Sequence, residues 1–584
     1  MTNEGEKLIE QFLNAQRIRA HEFADGPALF YRLEKHLDEF RKQFKAITTR
    51  FSQEGAIDFT SNDILSFSSS GLLRKATDAE MAKYPQFPIG SCGSRVLDGS
   101  NPYTEDLEAR LAKFHNAEEC MFYNSGFDAN AALFSTIPAE DDAIVYDEFI
   151  HASVHNGMQL SKSKTKLSFL HNNLESFRET LKGLSSTEEK LRKGDNSIII
   201  ALETVYSMEG DLAPLAALIQ IAKEEFPLGN ASFVVDEAHA TGLFGLNGRG
   251  LVSHLGLEDE VAIRMHTMGK AIASTGAIVL TNTTVKNYLV NFSRAFIYTT
   301  APSFSTMASI KCAYDLLESD ETLVRQHRIQ YLVRLLCARI RAIPLYERAK
   351  ASGYLRVPVA DGFEDKLLMS HIVPLWSEAS DALSFGLLMN KITAYPIVFP
   401  AVPRGTKRVR VCIHADNTEE DINRLVACVD EWLQERFKDD KVLGVEDGIA
   451  GTWHDFGVIK GKVEPAKKAV PCTNEKELEE TNTGETPEVA TKLPEPYPIE
   501  VREFEVSHGK IGMQAAEIPA GMKEVSGLLG RELGPGPEEK LVCQLSEELL
   551  PSSSGGAAVL GPQSLPREAA YGPGWWPGGL LGPL

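Results

Sequence analysis

Lys270 stands in the stretch His266-Thr267-Met268-Gly269-Lys270-Ala271, beside small residues and just ahead of the apolar run Ala277-Ile278-Val279-Leu280. A lysine held between a loop and a short buried strand can turn its amine into a cavity, where it could condense with a carbonyl as a Schiff base. Alone, Thr-x-x-Lys is weak evidence, because most lysines are solvated surface charges. Upstream, Ala231-Ser232-Phe233-Val234-Val235-Asp236-Glu237-Ala238-His239 is a valine-rich run that ends in two carboxylates. A buried parallel strand does this where its carboxyl end opens on a ligand crevice. Asp236 is thereby placed at the crevice, with room before Lys270 for a connection and a further strand. Gly242, Gly245, Gly248 and Gly250 make the segment between them a loop.

Three more stretches carry polar groups at element ends. Ser197 to Asp211 is a β-branched run that breaks into the loop Glu203-Thr204-Val205-Tyr206-Ser207-Met208-Glu209-Gly210-Asp211. Asn124-Ser125-Gly126-Phe127-Asp128-Ala129-Asn130 is a small-residue turn leading into a helix, whose first amides could cradle a phosphate. Val402 to Ile413 is a turn into a strand, and alternation puts Val409, Val411 and Ile413 on one face and Arg408, Arg410 and Cys412 on the other. An arginine facing a cleft needs an anion, and the planar guanidinium suits a carboxylate. Arg408 is read as a solvated or structural charge.

The elements that position these groups form an alternating pattern. A helix is expected from Glu105 to Phe114, a strand over Cys120–Tyr123, a strand over Ala143–Asp147, a helix beginning at Ile150-His151-Ala152-Ser153, and a helix from about Leu215 to Glu225. Residues 5–50 carry apolar positions at helical spacing and read as one or two amphipathic helices. Asp421 to Trp432 reads as a closing amphipathic helix. Beyond about Lys441, Pro, Gly, Ser and Glu dominate, and this tail to Leu584 is expected to be largely disordered, because it cannot bury enough apolar surface to offset its ordering entropy.

The stretches named above, taken together and in this order, resemble the α-oxoamine synthases, a branch of the fold-type-I enzymes that use pyridoxal phosphate (PLP). The resemblance covers roughly residues 50 to 435 and is strongest in Glu203 to Pro214, Asp236 to Gly250, Thr267 to Lys270 and Val402 to Thr418. It implies an α/β fold of type I: a large domain (51–350) with a mostly parallel seven-stranded sheet flanked by helices, and a smaller α+β C-terminal domain (351–440). An N-terminal helical segment (1–50) would border the acyl-thioester entrance.

The resemblance also implies roles. Lys270 would carry the cofactor and then act as general base on the α-proton. Asp236 would be the counter-ion that keeps the pyridine nitrogen protonated, and His151 would stack over the ring. His239 would donate to the phenolic oxygen, near Ser207 and Glu203. Ser125, Gly126, Phe127 and Thr267 would hold the phosphate, with Thr300 reaching the phosphate of a neighbouring subunit, which makes a homodimer part of the expectation. Asn62 and Arg410 would contact the substrate, Arg410 through its α-carboxylate. No metal is implied.

The chain departs from the family pattern in places. Asn62-Asp63 continues as Ile64-Leu65-Ser66 where the family has tyrosine, leucine and glycine, and Ala273 and Ala277 stand at two of the family's glycines. A tighter pocket edge with retained chemistry is expected there. Gly90 to Ser100 matches a Gly-Ser-Arg loop of the family.

Within the family the chain looks most like the 8-amino-7-oxononanoate synthases, which implies L-alanine and a pimeloyl thioester, on coenzyme A or a carrier protein, as substrates. A related synthase of specialised metabolism taking another amino acid or acyl chain is the alternative; transamination and a catalytically silent subunit are further ones. The balance of 60 basic and 81 acidic residues, net −21, argues against nucleic acid as the main partner. The eight cysteines show no close CxxC pair, so neither a zinc site nor a disulfide framework is expected. A polar, acidic N-terminus and the lack of a bilayer-length apolar run lead to the expectation of a cytoplasmic protein without a membrane span.

Overall fold

Ile198-Ile199-Ile200-Ala201-Leu202-Glu203 is buried along its whole length, and alternate residues serve opposite faces of one sheet. Ile199 and Ala201 enter the apolar cluster on one side, with Met121, Leu133 and Val154. Ile198, Ile200 and Leu202 enter the cluster on the other, with Phe177, Leu181 and Leu218. A strand covered on both faces belongs at the middle of a parallel sheet.

The computed structural model describes residues 55–442 and, in the segment before them, Leu33 and Lys35, both helical. The remainder of the expected helices over 5–50 and the expected disorder beyond Val442 lie outside the described residues. The strands are β1 (Ile57–Asp58), β2 (Glu119–Tyr123), β3 (Ala143–Asp147), β4 (Thr165–Phe169), β5 (Ile198–Glu203), β6 (Ala231–Asp236), β7 (Ile263–Thr267), β8 (Ala277–Thr281), β9 (Ile372–Trp376), β10 (Ile392–Thr393), β11 (Tyr395–Ile397) and β12 (Arg408–Cys412).

Seven of them form the large sheet in the order β2-β8-β7-β6-β5-β3-β4. Only β8 runs against the rest, since it pairs antiparallel with both β7 and β2. This is the PLP fold type I expected, α/β with a mostly parallel seven-stranded sheet. In register, Glu203 lies beside Asp236 and Asp236 beside Met265, so the carboxyl ends of β5, β6 and β7 meet at one edge. Because Thr267 pairs with Ala277, Lys270 sits in the short connection 268–276 between two adjacent strands. Met268, Ala271 and Ile272 bury their side chains in the core, which leaves the lysine on a held loop.

Helix ends follow local chemistry. Asn101 caps a helix over Pro102–Phe114, accepting from the Thr104 N–H at 3.0 Å, with proline in its first turn, so this helix starts before the expected Glu105. Leu215–Glu225 is helical as expected, and the last described helix, Glu419–Val442, extends past both predicted ends. A second, three-stranded antiparallel sheet has the order β11-β12-β9. The short β1 pairs in parallel with β10, which lays the segment after Asp58 against β12: the Cys412 N–H donates to the Phe59 carbonyl at 2.8 Å. Edge strand β4, Thr165-Lys166-Leu167-Ser168-Phe169, has no apolar run and escaped the sequence reading.

Candidate active site

A cavity of about 130 Å³ opens at the carboxyl edge of the large sheet, and its lining includes His151, Glu203, Asp236, Thr267 and Lys270. Asp236 is held there by two donors. Its Oδ2 accepts from Asn130 Nδ2 at 2.8 Å and its Oδ1 from the Ala238 N–H at 2.8 Å. The same Asn130 amide donates to Ser153 Oγ at 3.0 Å, and that hydroxyl lies 2.7 Å from His151 Nδ1. One network therefore joins the buried carboxylate to the histidine at the cavity's rim. His151 also caps the helix Ala152–Leu160, its Nδ1 accepting from the Ser153 N–H at 3.2 Å. Neither Asn130 nor Ser153 was singled out from sequence. The signal for Asn130 was its place one helical turn beyond Gly126, on the same face as the turn.

Glu203 lies next to Asp236 in register. Burial, and then the charge of Asp236, push its carboxyl well above the usual carboxylate range. The Lys270 amine takes no hydrogen-bond or ion-pair partner among the described residues. Burial pushes it below the usual lysine range, against the opposing pull of Asp236 and Glu203. An amine so placed loses its proton readily and is available as a nucleophile. Burial also drives His239 well below the usual histidine range, so it is neutral at neutral pH. Its ring stacks on His371, with centroids 5.7 Å apart at 29°, and both ring nitrogens of buried His371 lack a partner among the described residues. His371 went unnoticed in the sequence because nothing in Met369-Ser370-His371-Ile372 marks it.

At the other end of the cavity Ser125 caps the helix Gly126–Thr136, its Oγ accepting from the Asp128 N–H at 3.0 Å. A Cβ on Gly126 would fall 3.2 Å from both Cβ and Oγ1 of Thr267, so glycine lets the helix end approach β7. Gly126, Phe127 and Thr267 all line this end of the cavity. Of the two alanines at family glycines, Ala277 is an ordinary buried strand residue. Ala273 holds a left-handed backbone, φ 54°, where a methyl costs roughly 1 kcal/mol.

The turn Ser207–Asp211 is held against β12. Arg410 Nε donates to the Ser207 carbonyl at 2.7 Å, and its terminal nitrogens have no partner among the described residues. Arg408, two residues back, is 1 % exposed and wholly structural. Its Nη1 donates to the Met208 carbonyl at 2.9 Å and to Glu209 Oε1 at 2.7 Å, while the guanidinium lies 4.5 Å over the Trp376 ring. Gly210 presses on β9 so closely that a Cβ would meet the Ile372 carbonyl at 2.3 Å. Asn62 follows β1 and does not line the cavity; its buried Oδ1 has no partner among the described residues. Thr300 is on an exposed loop bridged to Ser94, its carbonyl accepting from Asn124 Nδ2 at 3.0 Å; it does not line the cavity of its own chain.

The site defines a lysine-centred PLP enzyme, and the comparisons agree. The chain belongs to the aminotransferase class I and II family, whose pattern matches residues 54–429. Aminoacyl transferase sphA of Aspergillus fumigatus is 42 % identical over 443 residues, covering 75 % of this chain and 93 % of that protein. The 8-amino-7-oxononanoate synthase of Emericella nidulans is 42 % identical over 380 residues, covering 65 % and 90 %. Among solved structures, serine palmitoyltransferase from S. paucimobilis with PLP bound shares the fold at 22 % identity and TM-score 0.59, covering 72 % of this chain and all of that one. The 8-amino-7-oxononanoate synthase of Francisella tularensis has TM-score 0.51 at 25 % identity, covering 66 % of this chain.

The chain is thus an α-oxoamine synthase, a PLP-dependent acyltransferase. The residues present fit the cofactor: a donor-held carboxylate for the ring nitrogen, an unpartnered amine for the aldehyde, and a glycine-opened helix end for the phosphate.

Proposed function

We propose that this enzyme joins the α-carbon of an amino acid to the acyl group of a thioester with loss of carbon dioxide. The first substrate pair is L-alanine and a pimeloyl thioester, carried by coenzyme A or a carrier protein, giving 8-amino-7-oxononanoate for biotin synthesis. PLP, when bound, supplies an electron sink for the α-carbon. The observation that carries the reading is the pairing of a cavity-lining Lys270 amine that has no partner among the described residues with an arginine, Arg410, whose terminal nitrogens are left for an anion. Arg410 lies near enough for its charge to act on Lys270.

In this reading Asp236 holds its negative charge against the ring nitrogen, fixed by Asn130 and Ala238. His151 covers the ring from the cavity's rim, and neutral His239 offers one N–H to the phenolic oxygen beside Ser207. Arg410 and Asn62 orient the amino acid, and the Lys270 amine takes the α-proton. Burial favours the protonated form of Glu203, which limits the negative charge beside Asp236. A second copy of the chain would bring Thr300 to the phosphate; the exposed Leu97 and Tyr298 flanking that loop, 74 % and 75 % accessible, support such a contact.

The test is incubation of the PLP-loaded protein with L-alanine and pimeloyl-CoA, following free thiol and carbon dioxide. Thiol released in step with product supports condensation, while turnover with alanine and a keto acid in place of the thioester would make it an aminotransferase. The sphA relatives, named aminoacyl transferases, keep a second substrate pair open: another amino acid or another acyl thioester, in specialised metabolism. Rescue of a biotin-requiring strain separates the two.

A further inference from the structure

Outside the residues given roles above, one half-buried group touches both arms of the site. His171 follows β4, and each of its ring nitrogens meets a carboxylate: Nδ1 lies 2.9 Å from Asp147 Oδ1 and Nε2 2.9 Å from Asp211 Oδ2. Two carboxylates on opposite nitrogens require both N–H groups, so the ring is a cation between them. Burial opposes that charge, but the two carboxylates raise the ring to about 10.

Each carboxylate leads to a different part of the site. Asp147 ends β3 and its Oδ1 also accepts the Phe149 N–H at 2.9 Å; Phe149 in turn stacks on the His171 ring, with centroids 4.6 Å apart at 29°. Two residues further on is His151. Asp211 closes the other turn, its carbonyl accepting the Tyr206 N–H at 3.1 Å and its Oδ2 accepting Asn172 Nδ2 at 2.9 Å. The adjoining Ser207 carbonyl is the group that takes Arg410 Nε.

We infer that His171 is a positioning residue, which bridges Asp147 and Asp211 and so sets the amino-acid grip of Arg410 against the His151 arm. The assignment rests on the proposed role of Arg410. It gives a reason for the polar turn Ser207-Met208-Glu209-Gly210-Asp211 beyond chain reversal: its two ends are tied to different arms.

Two variants in the full-length, PLP-loaded protein test this. His171→Phe keeps a flat ring on Phe149 and loses both polar bonds, whereas Asp211→Ala cuts only the branch toward Arg410. Amino-acid affinity is read from the change in PLP absorbance on adding glycine, L-alanine or L-serine, beside KM and kcat for condensation. Asp211→Ala is expected to weaken binding about tenfold, as for one charged hydrogen bond, with PLP retention, melting temperature and kcat little changed. His171→Phe is expected to weaken it as much and also to loosen PLP, and the double variant to bind the amino acid no more weakly than His171→Phe. If His171→Phe does not fold, Asp211→Ala alone decides. Unchanged amino-acid affinity in Asp211→Ala overturns the inference, and so does a parallel fall of affinity, PLP retention and melting temperature, which would mark a merely structural bond. A wild type that binds amino acids but condenses none removes the proposed reaction and leaves this comparison standing. One that binds none removes the carboxylate grip and the inference with it.

Discussion

The Lys270 half of the candidate site is assembled at the edge of one sheet, whereas the Arg410 half is assembled from pieces of chain that meet only across two sheets. Around Lys270, strand register sets the distances: Glu203 lies beside Asp236, and Thr267 opposite Ala277. Around Arg410, side chains set them. Arg408 fastens Met208 and Glu209, Arg410 fastens Ser207, and Gly210 rides on the Ile372 carbonyl. A backbone ladder resists single substitutions, while a side-chain clasp can be undone by one. Damage to the first half is therefore expected to appear in turnover and cofactor retention, and damage to the second in amino-acid KM and in stability.

Lys270→Ala removes the unpartnered amine that lines the cavity and is expected to lower turnover by about 10³-fold or more, measured as thiol release with both substrates present. Retained turnover would make the comparison of halves pointless, since the first half would then have no centre. Arg408→Met leaves the 13 % exposed Glu209 carboxylate without its cation and is expected to cost about 3 kcal/mol in denaturant unfolding. A stable variant with altered KM alone would mean the clasp is held elsewhere.

Asp236→Asn keeps the shape and removes the charge, so about a 10²-fold loss of turnover is expected together with faster loss of PLP on dialysis. An effect on KM without these would misplace Asp236 in the substrate half. Arg410→Lys replaces a fork by a point charge and is expected to raise amino-acid KM about tenfold, with PLP absorbance unchanged. Equal losses in kcat and KM would blur the division.

Glu237, adjacent to Asp236 in sequence, gives the smallest effect and none on kcat. It accepts the Leu251 and Val252 N–H groups at 2.8 and 2.7 Å, yet burial lifts its carboxyl from 4.5 to about 7. Between those values the native state holds more protons than the unfolded chain, so stability falls as pH rises through that window. Melting curves at pH 5 and 7.5 should show this slope in the wild type and a flatter one in Glu237→Gln; parallel slopes would assign the pH dependence to another group.

Much of the first half was legible beforehand because it is local. An apolar run ending in Asp236, a small-residue turn opening a helix at Gly126, and a lysine just ahead of a buried strand are each short-range patterns with a physical reason. Asn130 and Ser153 were missed because the hydrogen bonds that matter link separate helices to a strand end, and linear spacing does not report such contacts. Strand β4 was missed because an edge strand half-exposed to solvent needs no apolar run. Arg408 and Arg410 share one face by alternation, but only their surroundings separate a buried clasp from an open grip.

The residues by themselves determined the alternating elements, the strand ends that carry the carboxylates and the lysine connection, since backbone periodicity and burial act over a few residues. The tertiary structure decided which of two neighbouring carboxylates burial drives toward its protonated form, which of two arginines keeps its terminal nitrogens unpaired among the described residues, and that β1 lays Phe59 against β12. Those outcomes depend on desolvation and on hydrogen-bond partners more than a hundred residues away, and neither quantity exists until the chain has packed.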